Sequence, residues 1–166
     1  MIYYSKIPIP QLKLKLFIAK DHAGICEISF IVDEKKFLSA LKKKYDIQPV
    51  YALSKLTNEI NQVQQYFAGK RKSFDIPISL YGTDFQKKVW REISKIPYGH
   101  TISYSDLAER VKNKNALRAV GTACGKNPTP IVIPCHRVIS KDGSIGGFGG
   151  GVSLKEKMLK IERDAV

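Results

Sequence analysis

The side chains with the clearest chemical potential stand next to each other towards the end of the chain. An apolar run, residues 131–133, is followed by Pro134 and then by Cys135, His136 and Arg137. A cysteine reacts as its thiolate, and because the free thiol has a pKa of about 8.5, it needs a base or a positive charge close by. His136 and Arg137 are groups of these two kinds. The sequence therefore predicts that Cys135 is a nucleophile.

The route by which His136 would assist the thiol follows from the expected backbone. We interpret the apolar run as a buried strand, and adjacent residues on an extended segment point to opposite sides. A direct hydrogen bond between Cys135 and His136 is then not expected, and a bridging water is the predicted link. The other ring nitrogen needs a partner that fixes the tautomer, and Glu162 on the predicted final helix is the candidate.

Other cysteine chemistries do not fit the spacing. A tyrosine-phosphatase loop would need an arginine at the position of Lys141. A zinc deaminase would need a second cysteine at the position of Val138. A peptidase is the generic competitor, but the local signatures of papain-like and caspase-like enzymes are absent.

The overall charge indicates a polyanionic partner. The chain has 166 residues, with 28 Lys and Arg against 15 Asp and Glu, which gives a net charge of +13. Nucleic acid is the favoured partner for such an excess, and an anionic membrane is the weaker alternative. The basic residues are spread along the chain, so composition does not locate the binding face.

The cysteine count indicates a reducing compartment. The three cysteines are odd in number and include no C-x-x-C pair, which argues against disulfides. His22 and Cys26 have no second pair of ligands for zinc, and we predict neither a metal nor another cofactor. No apolar run approaches the roughly 18 residues of a membrane span, and the N-terminus lacks the layout of a signal peptide. We therefore expect a cytoplasmic protein without a membrane partner, or a nuclear one if the source is eukaryotic.

The N-terminal part is predicted to begin with a β-hairpin. Residues 12–18 alternate between apolar and other side chains, and residues 26–32 do so again after a turn at 21–24. Two such runs on either side of a short turn are typical of antiparallel strands. Cys26 would then be a small core residue.

Two helices are expected after the hairpin, over residues 34–45 and 52–68. Their inward positions recur at helical spacing: Phe37, Leu38, Leu41, Leu53, Leu56, Ile60, Val63 and Phe67. We place the domain boundary near Pro77, which predicts an N-terminal α/β supporting domain of residues 1–76 and a C-terminal domain of residues 77–166.

The C-terminal part is predicted to be mainly helical. Thr83 and Gln86 form a capping box that opens the first helix, and Ser103 starts the second. A polar turn leads to a third helix over residues 116–126, and two short helices joined in this way are typical of a helix-turn-helix unit. A further capping box, residues 153–156, is expected to open the last helix.

The third helix has an unusual outer face. Its buried face is predicted from recurring positions: Leu117, Val120 and Cys124. The opposite face combines one arginine with small residues: Arg118, Gly121, Thr122 and Gly125. Each glycine costs about 1 kcal/mol relative to alanine, which a close approach to a partner would offset. Since a major-groove helix would carry longer polar side chains, we interpret this face as suited to a minor groove; close packing inside the protein is the alternative.

The sequence around Cys135 resembles the active-site signature of the O6-alkylguanine-DNA alkyltransferases (methylated-DNA–protein-cysteine methyltransferases). The likeness is carried by residues 134–138, by Asn127 and Pro128, and by residues 118–121, and it extends over residues 82–162. It implies an α+β fold, with a ribonuclease-H-like N-terminal domain that contains a small antiparallel sheet and helices, and a C-terminal winged helix-turn-helix domain. It also implies repair of O6-alkylguanine, with O4-alkylthymine as a further substrate, by irreversible and stoichiometric transfer of the alkyl group to Cys135.

The resemblance implies catalytic roles for five residues. Cys135 would accept the alkyl group, activated through water by His136, which Glu162 would orient. Tyr104 would donate a proton to the leaving guanine. Asn127 would brace the turn before the cysteine.

The resemblance also implies how the substrate would be held. Arg118 would enter the duplex in place of the flipped nucleotide, with neighbouring groove contacts from Ala119, Gly121, Thr122 and Tyr104. The pocket for the base would be formed by Pro130, Val138, Phe148 and Gly149. In it the carbonyls of Cys135 and Val138 would accept from the guanine amino group, and the amide of Gly149 would donate to O6. The partner would be double-stranded DNA, bound through the minor groove by a monomer.

Two other functions stay open at this point. A non-catalytic damage-binding protein would share the fold but lack the nucleophile, and Cys135 argues against it. An ordinary helix-turn-helix regulator would need base-reading side chains on the third helix, and the small residues there argue against that.

Overall fold

A computed structural model describes residues 1–30 and 33–166, which form two compact units, Met1–Leu80 and Tyr81–Val166. Val32, which the sequence assigns to the second strand, lies outside the described residues. Among the described residues, no helix combines the length and the apolar character needed to cross a membrane.

The first unit contains a four-stranded mixed sheet in the order β3-β2-β1-β4. Its strands are β1 (Tyr3–Ile9), β2 (Leu14–Lys20), β3 (Ile25–Ser29) and β4 (Val50–Tyr51). The pairs β1–β2 and β2–β3 are antiparallel, which confirms the predicted hairpin, whereas β4 runs parallel to β1. The sheet is therefore mixed and not purely antiparallel.

Strand β1 is an element that the sequence analysis does not predict. It contains Pro8, which has no N–H to donate to a neighbouring strand. On one side β1 pairs along its whole length with β2, but on the other side β4 reaches only Tyr3 and Tyr4. The proline therefore lies beyond the second ladder, where its missing donor does not interrupt the pairing.

Two helices accompany this sheet, α1 (Glu34–Tyr45) and α2 (Thr57–Phe67). The bounds of α1 are those predicted, and the Asp33 carboxylate caps its start by accepting from the Lys36 amide. Helix α2 begins later than predicted, since Leu53 lies in a short 3-10 turn and is 51% exposed. The hydrophobic core includes Cys26, as expected: Ile2, Tyr4, Phe17, Ala19, Cys26, Phe37 and Leu41.

The second unit is built from four helices and a two-stranded parallel sheet. The helices are α3 (Asp84–Ser94), α4 (Tyr104–Arg110), α5 (Leu117–Gly125) and α6 (Val152–Asp164), and the strands are β5 (Ile102–Ser103) and β6 (Val138–Ile139). Helices α3, α4 and α5 pack against one another, and the indole of Trp90 donates to the Ala123 carbonyl at 2.8 Å. The capping box of Thr83 and Gln86 is confirmed, and Ser103 forms another with Asp106.

Two predictions for these helices are wrong. Leu117 was expected on the buried face of α5, but it is 47% exposed because it is the first residue of the helix and its side chain tilts back past the packed turns. The capping box at residues 153–156 does not form. Helix α6 begins two residues earlier than that box implies, at Val152 after Gly151, whose φ of 93° lies in the left-handed region that glycine tolerates.

Candidate active site

Cys135 lies in a short 3-10 helix and not in the predicted strand. The helix covers Cys135–Arg137, and the apolar run before it forms a turn in which the Ile133 amide donates to the Thr129 carbonyl at 2.9 Å. Ile131 has a φ of 79°, a conformation that β-branched residues rarely adopt, so this turn cannot continue as an extended strand. The extended backbone assumed from the sequence is therefore wrong at this point. The cysteine side chain is only 7% exposed.

His136 and Arg137 both bond to the carboxylate of Glu162. The imidazole Nε2 lies 2.6 Å from Glu162 Oε1, and the Arg137 Nε donates to Oε2 at 2.9 Å. The two neighbours can share one partner because successive side chains of a 3-10 helix point about 120° apart, and not to opposite sides as in a strand. The Gly99 amide also donates to Oε2, at 3.0 Å. All three side chains are buried.

These contacts set the protonation states of the buried groups. Burial alone would raise the pKa of the Glu162 carboxyl, but the bonds from His136 and Arg137 lower it to about 2, so it stays ionised. Burial lowers the pKa of His136 further than the carboxylate raises it, which favours the neutral ring. Burial also raises the pKa of the Cys135 thiol, against the opposing effects of Asn127 and Lys155. The resting site is therefore a neutral thiol beside a neutral imidazole.

Asn127 joins the end of α5 to the segment that carries the cysteine. Its Nδ2 donates to the Ile133 carbonyl at 2.8 Å, and its Oδ1 accepts from the Thr129 amide at 3.0 Å. The Asn127 side chain also bonds to the Cys135 thiol and lowers the pKa of that group. The structure thus brings Asn127 and Cys135 together.

Lys155 is a buried residue of the site that sequence reasoning missed. Its ammonium group donates to the carbonyls of Val138, at 2.7 Å, and Gly147, at 3.2 Å. Burial lowers the pKa of Lys155, and the nearby thiols of Cys135 and Cys124 oppose that shift. The available signal was its position on α6 two turns before Glu162, which places the two residues on the same face of the helix.

Tyr104 lies at the start of α4 near both thiols. Its ring centroid is 5.9 Å from the Lys155 ammonium. Burial, together with Cys124 and Cys135, raises the pKa of the phenol to about 12, so the hydroxyl remains a proton donor near neutral pH. Cys124 itself is buried, and burial and the nearness of Cys135 raise its pKa to about 12.

The outer face of α5 is open. Arg118, Ala119 and Thr122 are exposed, and the Thr122 hydroxyl donates to the Arg118 carbonyl at 2.9 Å instead of facing outward as a free donor. A Cβ added at Gly121 or at Gly125 would meet no atom within 4 Å. Close packing inside the protein therefore does not explain these glycines.

The remaining predicted pocket residues differ in burial. Pro130 and Val138 are buried, Phe148 is partly buried and Gly149 is exposed. Along residues 1–30 and 33–166, no cluster of His, Cys, Asp or Glu is arranged to hold a metal ion.

Comparisons with known proteins place both units in one family. Residues 2–80 match the ribonuclease-like domain of 6-O-methylguanine DNA methyltransferase, and residues 84–164 match its DNA binding domain. The chain belongs to the 6-O-methylguanine DNA methyltransferase family. The resemblance seen around Cys135 and the predicted α+β fold are thereby confirmed.

One relative and one solved structure match this chain over almost its whole length, and a further relative matches part of it. The methylated-DNA–protein-cysteine methyltransferase of Methanosarcina mazei is 37% identical over 163 residues, which is 98% of each chain. The inducible enzyme of Bacillus subtilis is 48% identical over 104 residues, 63% of this chain and 58% of its own. A crystal structure of Mycobacterium tuberculosis OGT in complex with DNA aligns with a TM-score of 0.86 at 31% identity, and the alignment covers 99% of this chain and 94% of that one.

Proposed function

We propose that this protein repairs DNA by transferring the alkyl group of O6-alkylguanine to the sulfur of Cys135. The observation that carries the proposal is a buried cysteine next to a buried His136–Glu162 pair, in a chain of the methyltransferase family. The alternative of a binding protein without a nucleophile is not supported, since Cys135 is present. A base-reading regulator is not supported either, because the exposed face of α5 offers few groups that reach base edges.

The thiol would be activated by proton transfer to His136. With Nε2 bonded to Glu162, Nδ1 is the nitrogen through which the ring would act on Cys135, by way of a bridging water. The proton would leave the thiol and charge the imidazole, and the ionised Glu162 would stabilise the imidazolium. The transfer replaces a neutral thiol and a neutral imidazole with a thiolate and an imidazolium. The carboxylate of Glu162 is already ionised and in place to stabilise the imidazolium.

The transfer itself would be an in-line displacement. The sulfur forms a bond to the alkyl carbon as the carbon–O6 bond breaks, and guanine leaves with the electron pair of that bond. Tyr104, whose hydroxyl keeps its proton at neutral pH, would donate it to the purine ring and so neutralise the leaving group. The thioether that remains is stable, so each molecule would react once.

The base would be held mainly by backbone groups. The carbonyls of Cys135 and Val138 would accept from the guanine amino group, and the Gly149 amide would donate to O6. Val138 can serve in this way while bonded to Lys155, because a carbonyl oxygen has two lone pairs. Pro130 and Phe148 would supply the apolar walls, and a pocket of this kind would also admit O4-alkylthymine.

The outer face of α5 would contact the minor groove of double-stranded DNA. Arg118 would occupy the gap left by the flipped nucleotide, and Ala119, Gly121 and Thr122 would let the helix approach closely. Residues 1–76 would support this C-terminal domain, residues 77–166. We expect a monomer that acts where the DNA is, in the cytoplasm or, in a eukaryote, the nucleus.

The test is the mass of the intact protein after mixing with DNA that contains O6-methylguanine. We expect a gain of one methyl group, located on Cys135 by peptide mapping, with repair reaching a plateau at one lesion per protein. Cys135→Ser should bind the DNA and show no gain. Continued turnover, or a methyl group on Cys26 or Cys124, would refute the assignment.

A further inference from the structure

Leu117 is an exposed apolar side chain at the edge of the open face of α5. It is the first residue of the helix, directly before Arg118, and 47% of it is exposed. One turn further along lies Gly121, where even a Cβ would meet no atom within 4 Å. Leu117 and Gly121 lie four residues apart on the same face of the helix. A partner that approaches α5 at Gly121 would therefore reach the Leu117 side chain with no side chain in between.

The groups next to Leu117 leave few polar contacts for such a partner. Ala119 has no polar side-chain atom, and the Thr122 hydroxyl donates its hydrogen bond to the Arg118 carbonyl. The exposed face thus combines one cation and one large apolar group at its N-terminal turn. Proteins that bend DNA from the minor groove combine the same two elements, a basic side chain and an apolar wedge that separates neighbouring base pairs.

We propose that Leu117 is such a wedge: it packs against the base step beside the flipped nucleotide while Arg118 fills the gap. This inference rests on the proposed minor-groove binding by α5. An aliphatic side chain gains by leaving water for the faces of partly unstacked bases, and the separated step lowers the cost of flipping its neighbour. Leu117 then acts on DNA without any charge of its own.

The lack of charge on Leu117 gives a sharp test. Leu117→Ala should weaken binding to lesion-containing duplex and slow its single-turnover repair by about tenfold, the loss expected if roughly two of the three carbon groups removed are buried against the bases. Because no phosphate contact is lost in Leu117→Ala, the salt dependence of its binding should stay that of the wild type. Repair of the same lesion in a single strand should be almost unaffected by Leu117→Ala.

Three controls separate this role from its alternatives. Leu117→Met keeps an apolar side chain of similar length and should retain repair, whereas Leu117→Gln, equally long but polar, should behave like Leu117→Ala. Leu53→Ala removes a leucine of similar exposure (51%) outside the DNA-binding match and should change nothing. Thermal unfolding of each variant reports any loss of stability.

A direct readout is the fluorescence of 2-aminopurine placed at the base step next to the lesion. Wild-type protein should raise it by unstacking the step, and Leu117→Ala should raise it less. Equal slowing on duplex and single strand, or full activity of Leu117→Gln, would overturn the wedge. Failure of the wild-type protein to methylate Cys135 would instead overturn the proposed function.

Discussion

The Nε2 of His136 lies 2.6 Å from Oε1 of Glu162, with both side chains removed from water. The same carboxylate holds the guanidinium of Arg137, which also donates to the Ile96 carbonyl at 2.7 Å. The Glu162 carboxylate therefore balances the charge of Arg137, and it lies where it would also stabilise a positive charge on His136. The arrangement predicts how stability and reactivity depend on pH.

The stability of the protein should fall steeply in acid. The pKa of Glu162 is about 2 in the folded protein, against an ordinary value of 4.5. A depressed folded pKa contributes stability that is fully present above about pH 4.5 and is lost as the pH falls towards 2, and the contribution is about 3 kcal/mol. Urea unfolding across this range should show a full pH dependence in the wild type and a weaker one in Glu162→Gln, in which other carboxyls of lowered pKa, such as Asp106, still titrate. Glu156→Gln, on the exposed face of α6, is the control and should keep it; a wild-type slope in Glu162→Gln would contradict the prediction.

The pH–rate profile of alkyl transfer should depend on His136. Without the imidazole, the thiol loses its base and ionises only at higher pH, since burial raises its pKa. In His136→Ala the rising limb of the single-turnover profile should shift to higher pH and the rate at neutral pH should fall by about 100-fold or more. An unshifted limb would show that another group takes the proton.

Lys155 should assist the thiolate as well as hold the loop. Lys155→Met removes a buried positive charge that lowers the pKa of Cys135, and it leaves the carbonyls of Val138 and Gly147 without their donor. We expect slower alkylation of Cys135 by iodoacetamide near neutral pH, with part of the rate recovered in alkaline buffer. Lys157→Met changes an exposed lysine on the same helix and should react like wild type. A purely structural role of Lys155 would lower stability without shifting the profile.

Arg118 should contribute most to the repair rate on substrates in which flipping the damaged nucleotide costs the most free energy. Arg118→Ala should slow repair of a fully paired lesion strongly, and slow it less when the lesion faces a mismatch or lies in a single strand. Arg118→Lys should restore little, because an ammonium group does not stack as a planar guanidinium does. Single-turnover repair of the three substrates by both variants is the measurement. Equal slowing on all three would mean that Arg118 is an ordinary phosphate contact.

Replacing Gly121 should raise the stability of the free protein and lower its affinity for DNA. Because a Cβ there meets no atom within 4 Å, Gly121→Ala should stabilise the free protein by about 1 kcal/mol. The added methyl group should nevertheless weaken DNA binding, since it holds the helix away from the groove. Thermal unfolding and DNA titration of this variant measure the two effects. A stabilised variant with unchanged DNA affinity would show that the open face is not the contact.

Much of the fold was predictable from local signals. Helix α1 and the capping box at Thr83 follow from local side-chain patterns that the sequence shows directly, although a similar pattern at residues 153–156 does not form a capping box. Two features were not predictable from the spacing of residues within one segment. Strand β1 tolerates Pro8 because β4 pairs only with Tyr3 and Tyr4, and Leu117 is exposed because it lies at the very start of α5.

The site divides in the same way. The adjacent Cys135 and His136, and their partner Glu162, could be named because few functions explain that combination of side chains. Lys155 could not, because its importance comes from the carbonyls that it meets, and backbone groups leave no trace in the order of residues. The 3-10 helix was missed since the turn that forces it depends on an unusual conformation of Ile131.

The concealment of Cys135 has a consequence for the lifetime of the unused protein. Oxidants and adventitious electrophiles attack exposed thiolates first, and the damage to the cysteine is irreversible once a sulfinic acid or a thioether forms. A nucleophile that can be used only once must therefore survive the wait for its target. With 7% of its surface exposed and its pKa raised by burial, the resting cysteine is kept protonated and covered. The same burial that makes the thiol a reluctant nucleophile preserves it as a stored reagent.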